Sequence, residues 1–337
     1  MDQRRPYRRR YLFIAMTSLV TAASVATLAL KTPGAAQQAS VTDAGPLADH
    51  HQHLPSAAAI ALLNRFRPNA RPLNNRIPRT AEELIHWLDQ AGIERAVLLS
   101  AAYWFGGGVM PKAEGDEYTN VRAENDWTAT QAARFPKRLV AFCSVNPLRD
   151  YAVDEIARCA QGGRFKGLKL HFGNSRVDVL NDEHVDRLRR VFSAANERRL
   201  PIVAHLWAGR NYGREHAEIF LKRILPTAPD VVVQIAHFAG GGPGYIESAL
   251  AVYAEAIAAG NSSTKNLYFD VSTVANGQPP EVLQMFATRM RQVGLHRILF
   301  GTDVGLPREA WTTFRTTVPL TEEEIRTIGR NLAPYLR

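Results

Sequence analysis

From about residue 46 onward, short apolar runs alternate with longer stretches whose apolar positions recur at helical spacing. Eight runs have the length and make-up of buried strands: 46–53, 95–101, 139–145, 167–172, 202–206, 231–237, 267–272 and 298–303. Helical stretches separate them. Thr80-Ala-Glu-Glu83 reads as a capping box, and Gly92 as the stop of that helix. Asn181 caps a stretch whose apolar face is Val185, Leu188, Val191, Phe192 and Ala195. Residues 249–258 are alanine-rich and helix-prone, and Thr321-Glu-Glu-Glu324 opens the last helix. Strand–helix alternation implies a parallel sheet, and eight repeats in about 290 residues imply closure into a (β/α)8 barrel of the TIM type. An open doubly wound sheet is the alternative, but no G-x-G-x-x-G follows the first strand.

The pattern is different before residue 40. Five arginines (Arg4, Arg5, Arg8, Arg9 and Arg10) precede an uncharged stretch, 11–30. Lys31-Thr-Pro33 breaks that stretch, and small residues follow at Gly34-Ala-Ala36. This is the layout of an export signal, with a loose match to a twin-arginine motif at Arg8-Arg9-Arg10-Tyr11-Leu12. The stretch is long enough to span a bilayer, so an uncleaved anchor is the alternative. Its serines and threonines favour the signal. We therefore read 1–40 as signal or anchor plus linker, and 41–337 as one barrel domain, exported to the periplasm or secreted. Membrane contact is expected only through 11–30.

This leader also explains the charge. The chain is formally +9, but without residues 1–36 it holds 35 basic against 31 acidic residues. No dense basic stripe remains, which argues against a nucleic-acid partner. Cys143 and Cys159 form no C-x-x-C, so a cysteine zinc site is excluded; buried thiols or a disulfide both fit.

The chemistry gathers at strand ends. Six of the ten histidines fall on expected strands: His50, His51, His53, His171, His205 and His237. Side chains alternate along a strand, so Asp49, His51 and His53 share one face while His50 and Gln52 take the other. Strands five, six and eight end in His205, His237 and Asp303. Barrel closure would bring these ends together, where barrel enzymes build their sites. Histidine nitrogens with one carboxylate suit Zn²⁺ or a similar ion with a position left for water.

In the motifs Asp49-His-His-Gln-His53, Val145-Asn-Pro147, Gly167-Leu-Lys-Leu-His171, His205, His237, Leu299-Phe-Gly-Thr-Asp303 and the ending 320–334, the chain resembles the amidohydrolase superfamily. The resemblance is to its amidohydrolase 2 branch, related to aminocarboxymuconate-semialdehyde decarboxylase and the pyrone-dicarboxylate lactonases. It runs from about residue 46 to 336. It implies one divalent ion, most often zinc, held by His51, His53, His205 and Asp303. It implies that Asp303 also handles the proton of a water, and that His237 acts as acid/base or orients that water.

Lys169 stands where two-metal members carry a bridging carboxylated lysine. Bridge, substrate contact and structural ammonium all remain open for it, and His171 on the same face is a second candidate for substrate or a second metal. Asp49 is placed to orient an imidazole from behind. Asp270 is read as a contact to substrate or water, or as a backbone partner. Tyr103, Trp104, Trp207 and Arg210 are candidate pocket walls, and Arg65, Arg67, Arg71, Arg76 and Arg79 are candidates for binding a carboxylate.

The leading reading is hydrolysis of a small amide, lactone or ester by metal-activated water. Non-oxidative decarboxylation of a small carboxylic acid uses the same ligands and is the alternative. A non-catalytic binding protein is a third reading, against which the pairing of His237 with Asp303 speaks. The only partners expected are a small-molecule substrate and, as an open question, further copies of the chain.

Overall fold

The computed structural model describes residues 45–67 and 77–337. The expected leader, Arg71 and Arg76 lie outside the described residues. Eight strands carry the architecture: β1 (Ala48–Gln52), β2 (Arg95–Leu99), β3 (Leu139–Ser144), β4 (Phe165–His171), β5 (Ile202–His205), β6 (Val233–Ile235), β7 (Leu267–Asp270) and β8 (Ile298–Leu299). They lie in one sheet in chain order, and every neighbouring pair is parallel. β8 returns to β1 through a parallel bridge between Gln52 and Asp303. Backbone bonds from His50 N to Phe300 O (2.9 Å) and from Asp303 N to His51 O (2.6 Å) complete the seam. The fold is a (β/α)8 barrel.

The helices form where the polar and apolar pattern places them. Asp182–Glu197 begins at Asn181, whose side chain accepts from the Glu183 and His184 N–H groups, and it buries Val185, Leu188, Val191, Phe192 and Ala195. Gly92 ends Ala81–Ala91 in the left-handed conformation, with φ 68°. Thr321 and Glu324 make a complete capping box. At Thr80 only half of the expected box forms. Its hydroxyl accepts from Glu83 N, but the Glu83 carboxylate reaches past it to the Arg79 N–H at 2.8 Å. Each such cap stabilises its helix by about 1 kcal/mol. Among the described residues no helix is long and apolar enough to cross a membrane.

Phe142 fills the barrel interior, wholly buried, and Gly167 on the next strand makes room for it. A Cβ at Gly167 would lie 2.2 Å from the Phe142 ring. Truncating Phe142 to alanine would cost about 3–5 kcal/mol in lost burial and cavity. Phe142 meets the Tyr335 ring at 5.1 Å. Tyr335 belongs to the turn Pro334–Leu336, which lies where the strands begin: Leu336 O accepts from Arg95, the first residue of β2.

Several strands stop earlier than the apolar pattern suggests, and two of them run on into left-handed residues. β6 ends at Ile235 because His237, Phe238 and Ala239 are all left-handed, with φ 52°, 49° and 64°. β8 ends at Leu299, and Asp303 beyond it is left-handed as well, with φ 62°. A left-handed residue cannot continue a pleat. Outside glycine it costs about 1–2 kcal/mol each. Both interruptions fall on residues the sequence marks for chemistry.

Candidate metal centre

At the C-terminal mouth of the barrel, hydrogen bonds fix how each histidine presents itself. His53 lies just beyond β1, and its Nδ1 donates to the Leu99 carbonyl at 2.8 Å. His51 Nδ1 donates to Asp270 Oδ2 at 3.0 Å. His237 Nδ1 lies 3.0 Å from the Ser272 carbonyl oxygen, to which it donates. A carbonyl or carboxylate can only accept, so the proton of each ring sits on Nδ1 and each Nε2 keeps a bare lone pair. Burial holds His51 below the usual imidazole range and pushes His53 down to about 3, so both rings are neutral.

Asp303 Oδ1 stands 3.5 Å from His51 Nε2 and 3.4 Å from His53 Nε2. Burial alone would raise the Asp303 carboxyl; the neighbouring His51, His237, His53 and Lys169 outweigh it and keep the group ionised. Two imidazole lone pairs and a carboxylate oxygen therefore converge with no hydrogen between them. Around an ion with bonds of about 2.0–2.1 Å, tetrahedral ligands sit about 3.3–3.4 Å apart. The three residues thus fit a divalent metal ion by both distance and chemistry, and their ligand atoms form one compact group. Gly301 makes the arrangement possible, because a Cβ there would lie 2.7 Å from His51 Cβ.

His205 stands next to this group and not within it. Its ring is 4.8 Å from that of His237 and stacks on His171 at 3.9 Å. Its buried Nε2 has no hydrogen-bond partner among the described residues, an uncommon condition for a native polar atom that a fourth metal–nitrogen bond would relieve.

His171 differs from the others. Its Nδ1 accepts from the Asn174 N–H at 3.1 Å, so the proton sits on Nε2 and the ring offers a donor. That favours contact with substrate over contact with a second metal. Lys169 is wholly buried, its Nζ 3.2 Å from His51 Nε2. Burial pulls this ammonium down to about 8 against the attraction of Asp270 and Asp303.

The carboxylate behind the imidazole is not the expected one. Asp49 spends its oxygens on the Thr302 hydroxyl (2.6 Å), the Thr302 N–H (3.0 Å), the His51 N–H (3.1 Å) and the Gln52 amide (3.1 Å). It ties β1 to the segment after β8 and reaches no ring. Asp270 orients His51 instead. It also accepts from the His237 and Ser272 backbone N–H groups, the Ser272 hydroxyl and the Gln234 amide. The His51 ring, the neighbouring His237 and the Ser272 hydroxyl together hold it well below the usual carboxylate range despite its burial. Its place at the end of an inward-facing strand was the one sequence signal for it.

These groups open into a cavity of about 880 Å³. Its inner end holds His51, His53, Lys169, His171, His205, His237 and Asp303, and its walls include Leu63, Ile77, Tyr103, Trp104, Val304 and Leu306. Arg67 is the one candidate arginine that lines it among the described residues. Trp207 packs beneath Gly241 and, like Arg210, does not form the wall.

The sequence profile of the amidohydrolase family matches residues 48–330. No curated protein matches the chain. Among solved structures, 2,6-dihydroxybenzoate decarboxylase from Rhizobium superposes with a TM-score of 0.57 at 17% identity, over 85% of this chain and 96% of that one. 5-Carboxyvanillate decarboxylase from Sphingomonas paucimobilis gives 0.57 at 16%, over 84% and 96%. Dihydroxybenzoic acid decarboxylase from Polaromonas, solved with bound manganese and 2-nitroresorcinol, gives 0.56 at 16%, over 85% and 95%. Likeness at this identity is likeness of fold.

Proposed function

The chain belongs to the amidohydrolase family, and on that premise we propose that it is a metal-dependent hydrolase of a small amide, lactone or ester. The carrying observation is the convergence of the His51 and His53 Nε2 lone pairs with Asp303 Oδ1 at 3.4–3.5 Å. His51, His53 and Asp303 would hold one divalent ion, with His205 Nε2 as the fourth donor. Imidazole-rich donors favour zinc. Manganese, bound in the Polaromonas structure, is the second ion to supply. When bound, the ion would polarise a substrate carbonyl and acidify water.

The protein's own groups then move protons. His237 is held by Ser272 with its Nε2 lone pair free, so it can take a proton from the attacking water and return it to the leaving group. Asp303, ionised in the folded protein, is the second acceptor. Tyr103 and Trp104 give the substrate an aromatic wall.

A second reading, decarboxylation, is favoured by Lys169. Its one bonding partner among the described residues is His51 Nε2, an atom that metal binding would engage. The freed ammonium would face the cavity and suit a substrate carboxylate. The structural relatives named above are decarboxylases, which supports the same direction. The test is the metal-loaded protein offered lactones, esters, amides and hydroxybenzoates, with acid release and CO₂ release followed in parallel. Acid release without CO₂ is the expected result; CO₂ release from an aromatic acid with no hydrolysis would replace the first reading with the second.

A further inference from the structure

A buried chain of hydrogen bonds runs from the strand-start end of the barrel to the metal centre. The Tyr335 hydroxyl donates to Gln234 Oε1 at 2.5 Å. The Gln234 amide donates to Asp270 Oδ2 at 2.8 Å, and to the His50 carbonyl at 3.3 Å. Asp270 Oδ2 in turn accepts from His51 Nδ1 at 3.0 Å. Gln234 and Asp270 are wholly buried. We propose that Tyr335 is a positioning residue for the metal centre, acting through Gln234 and Asp270 on the orientation of His51. The proposal rests on the metal-binding reading above.

The physical case lies in what each bond leaves undetermined. Asp270 Oδ1 is fixed by the Ser272 hydroxyl and by two backbone N–H groups. Oδ2 has only two donors among the described residues, His51 and Gln234. Gln234 is therefore what holds Oδ2 in place when His51 is drawn toward an ion. The amide must present nitrogen to Asp270, because its oxygen there would set acceptor against acceptor. Oε1 then points at Tyr335, and the phenol is the donor that satisfies it.

Removing the phenol leaves a buried oxygen unpaired, and the amide must turn or shift to find a partner. Tyr335 is itself seated by its turn. The Ala333 N–H donates to His50 Nε2 at 3.2 Å, and Leu336 O accepts from Arg95. A turn at one end of the barrel thereby sets a ligand at the other.

The experiment compares Tyr335→Phe with wild type and with Leu336→Ala, which loosens the same turn without touching the hydrogen bonds. Zinc affinity is measured by chelator competition, and urea midpoints are measured on the metal-free proteins. Groups behind metal-binding histidines typically change affinity about 10–100-fold. Tyr335→Phe, two bonds removed, is expected to weaken zinc binding about tenfold. Leu336→Ala should lower the urea midpoint and keep its affinity.

Asp270→Asn should weaken zinc binding more, and adding Tyr335→Phe to it should cost nothing further, since both act on one path. Gln234→Met takes the place of Asp270→Asn should that variant not fold. Wild-type affinity in Tyr335→Phe overturns the relay alone. So does an equal loss in Leu336→Ala, or additivity in the double variant. A wild-type chain that binds no zinc overturns the metal-centre reading and the relay with it.

Discussion

Replacing His50 by glutamine should make the metal-free protein less sensitive to acid. His50 sits back to back with His51 on β1 and serves structure only. Its Nδ1 donates to Phe300 O at 3.0 Å, and its Nε2 accepts from the Ala333 N–H. Burial lowers its pKa from 6.5 to about 4, so the folded state keeps the ring neutral at pH values where the unfolded chain protonates it. With a lowered folded pKa, stability is full above 6.5 and is lost as pH falls toward 4.

Integrated between pH 7.5 and pH 5, the loss is about 2 kcal/mol at 1.36 kcal/mol per pKa unit. Glutamine can make the same donor and acceptor contacts but has nothing to protonate. Asp49 beside it works with the opposite sign. Its pKa is raised to about 6, so acid stabilises the fold through that group and masks His50 in the wild type alone. The assay is therefore a difference of differences: urea unfolding of wild type and His50→Gln, metal-free, at both pH values. The wild type should lose about 2 kcal/mol relative to the variant on acidification. An unchanged difference would refute the account of His50 as a buried neutral latch.

The remaining expectations concern the site and the core. Purified protein should bind about one zinc ion per chain, and free zinc at a hundred times Kd should raise the unfolding free energy by about 2.7 kcal/mol; Asp303→Asn and His53→Ala should both abolish this gain, read by metal analysis and thermal shift. Lys169→Met should raise KM for a carboxylate-bearing substrate about 10–100-fold, the value of one charge-assisted hydrogen bond, and leave KM for its neutral ester unchanged. Cys143 and Cys159 are buried, and the Cys159 thiol donates to Glu155 Oε1 at 3.7 Å, with burial pushing it far above the usual thiol range. In the reduced protein neither should react with a thiol reagent until urea unfolds the chain.

The difference between Asp49 and Asp270 shows what a sequence can and cannot say about such a site. The proposed ligands His51, His53 and Asp303 were legible because strand order and strand ends are local properties. Apolar runs mark the strands, parallel closure gathers their ends, and a polar residue in that place has few other uses. The orienting carboxylate is a question of height inside the barrel. Asp49 shares a face with His51 but lies two residues back, about 6.6 Å down the strand, level with the N–H groups of the neighbouring segment. Asp270 is 219 positions away along the chain and level with the ring.

Alternation along a strand fixes which way a side chain faces. It does not fix the stagger between strands, which depends on the shear of the closed barrel. The early ends of β6 and β8 were hidden for a related reason. The runs through His237 and Asp303 are apolar enough to continue as strands. Their left-handed turns are held by contacts from elsewhere: Asp270 on the His237 N–H, and the His51 carbonyl on the Asp303 N–H. The positions that bend the chain against its local preference are the ones that aim the proposed acid/base and the proposed ligand. Strain of that kind persists only where the rest of the barrel over-determines it.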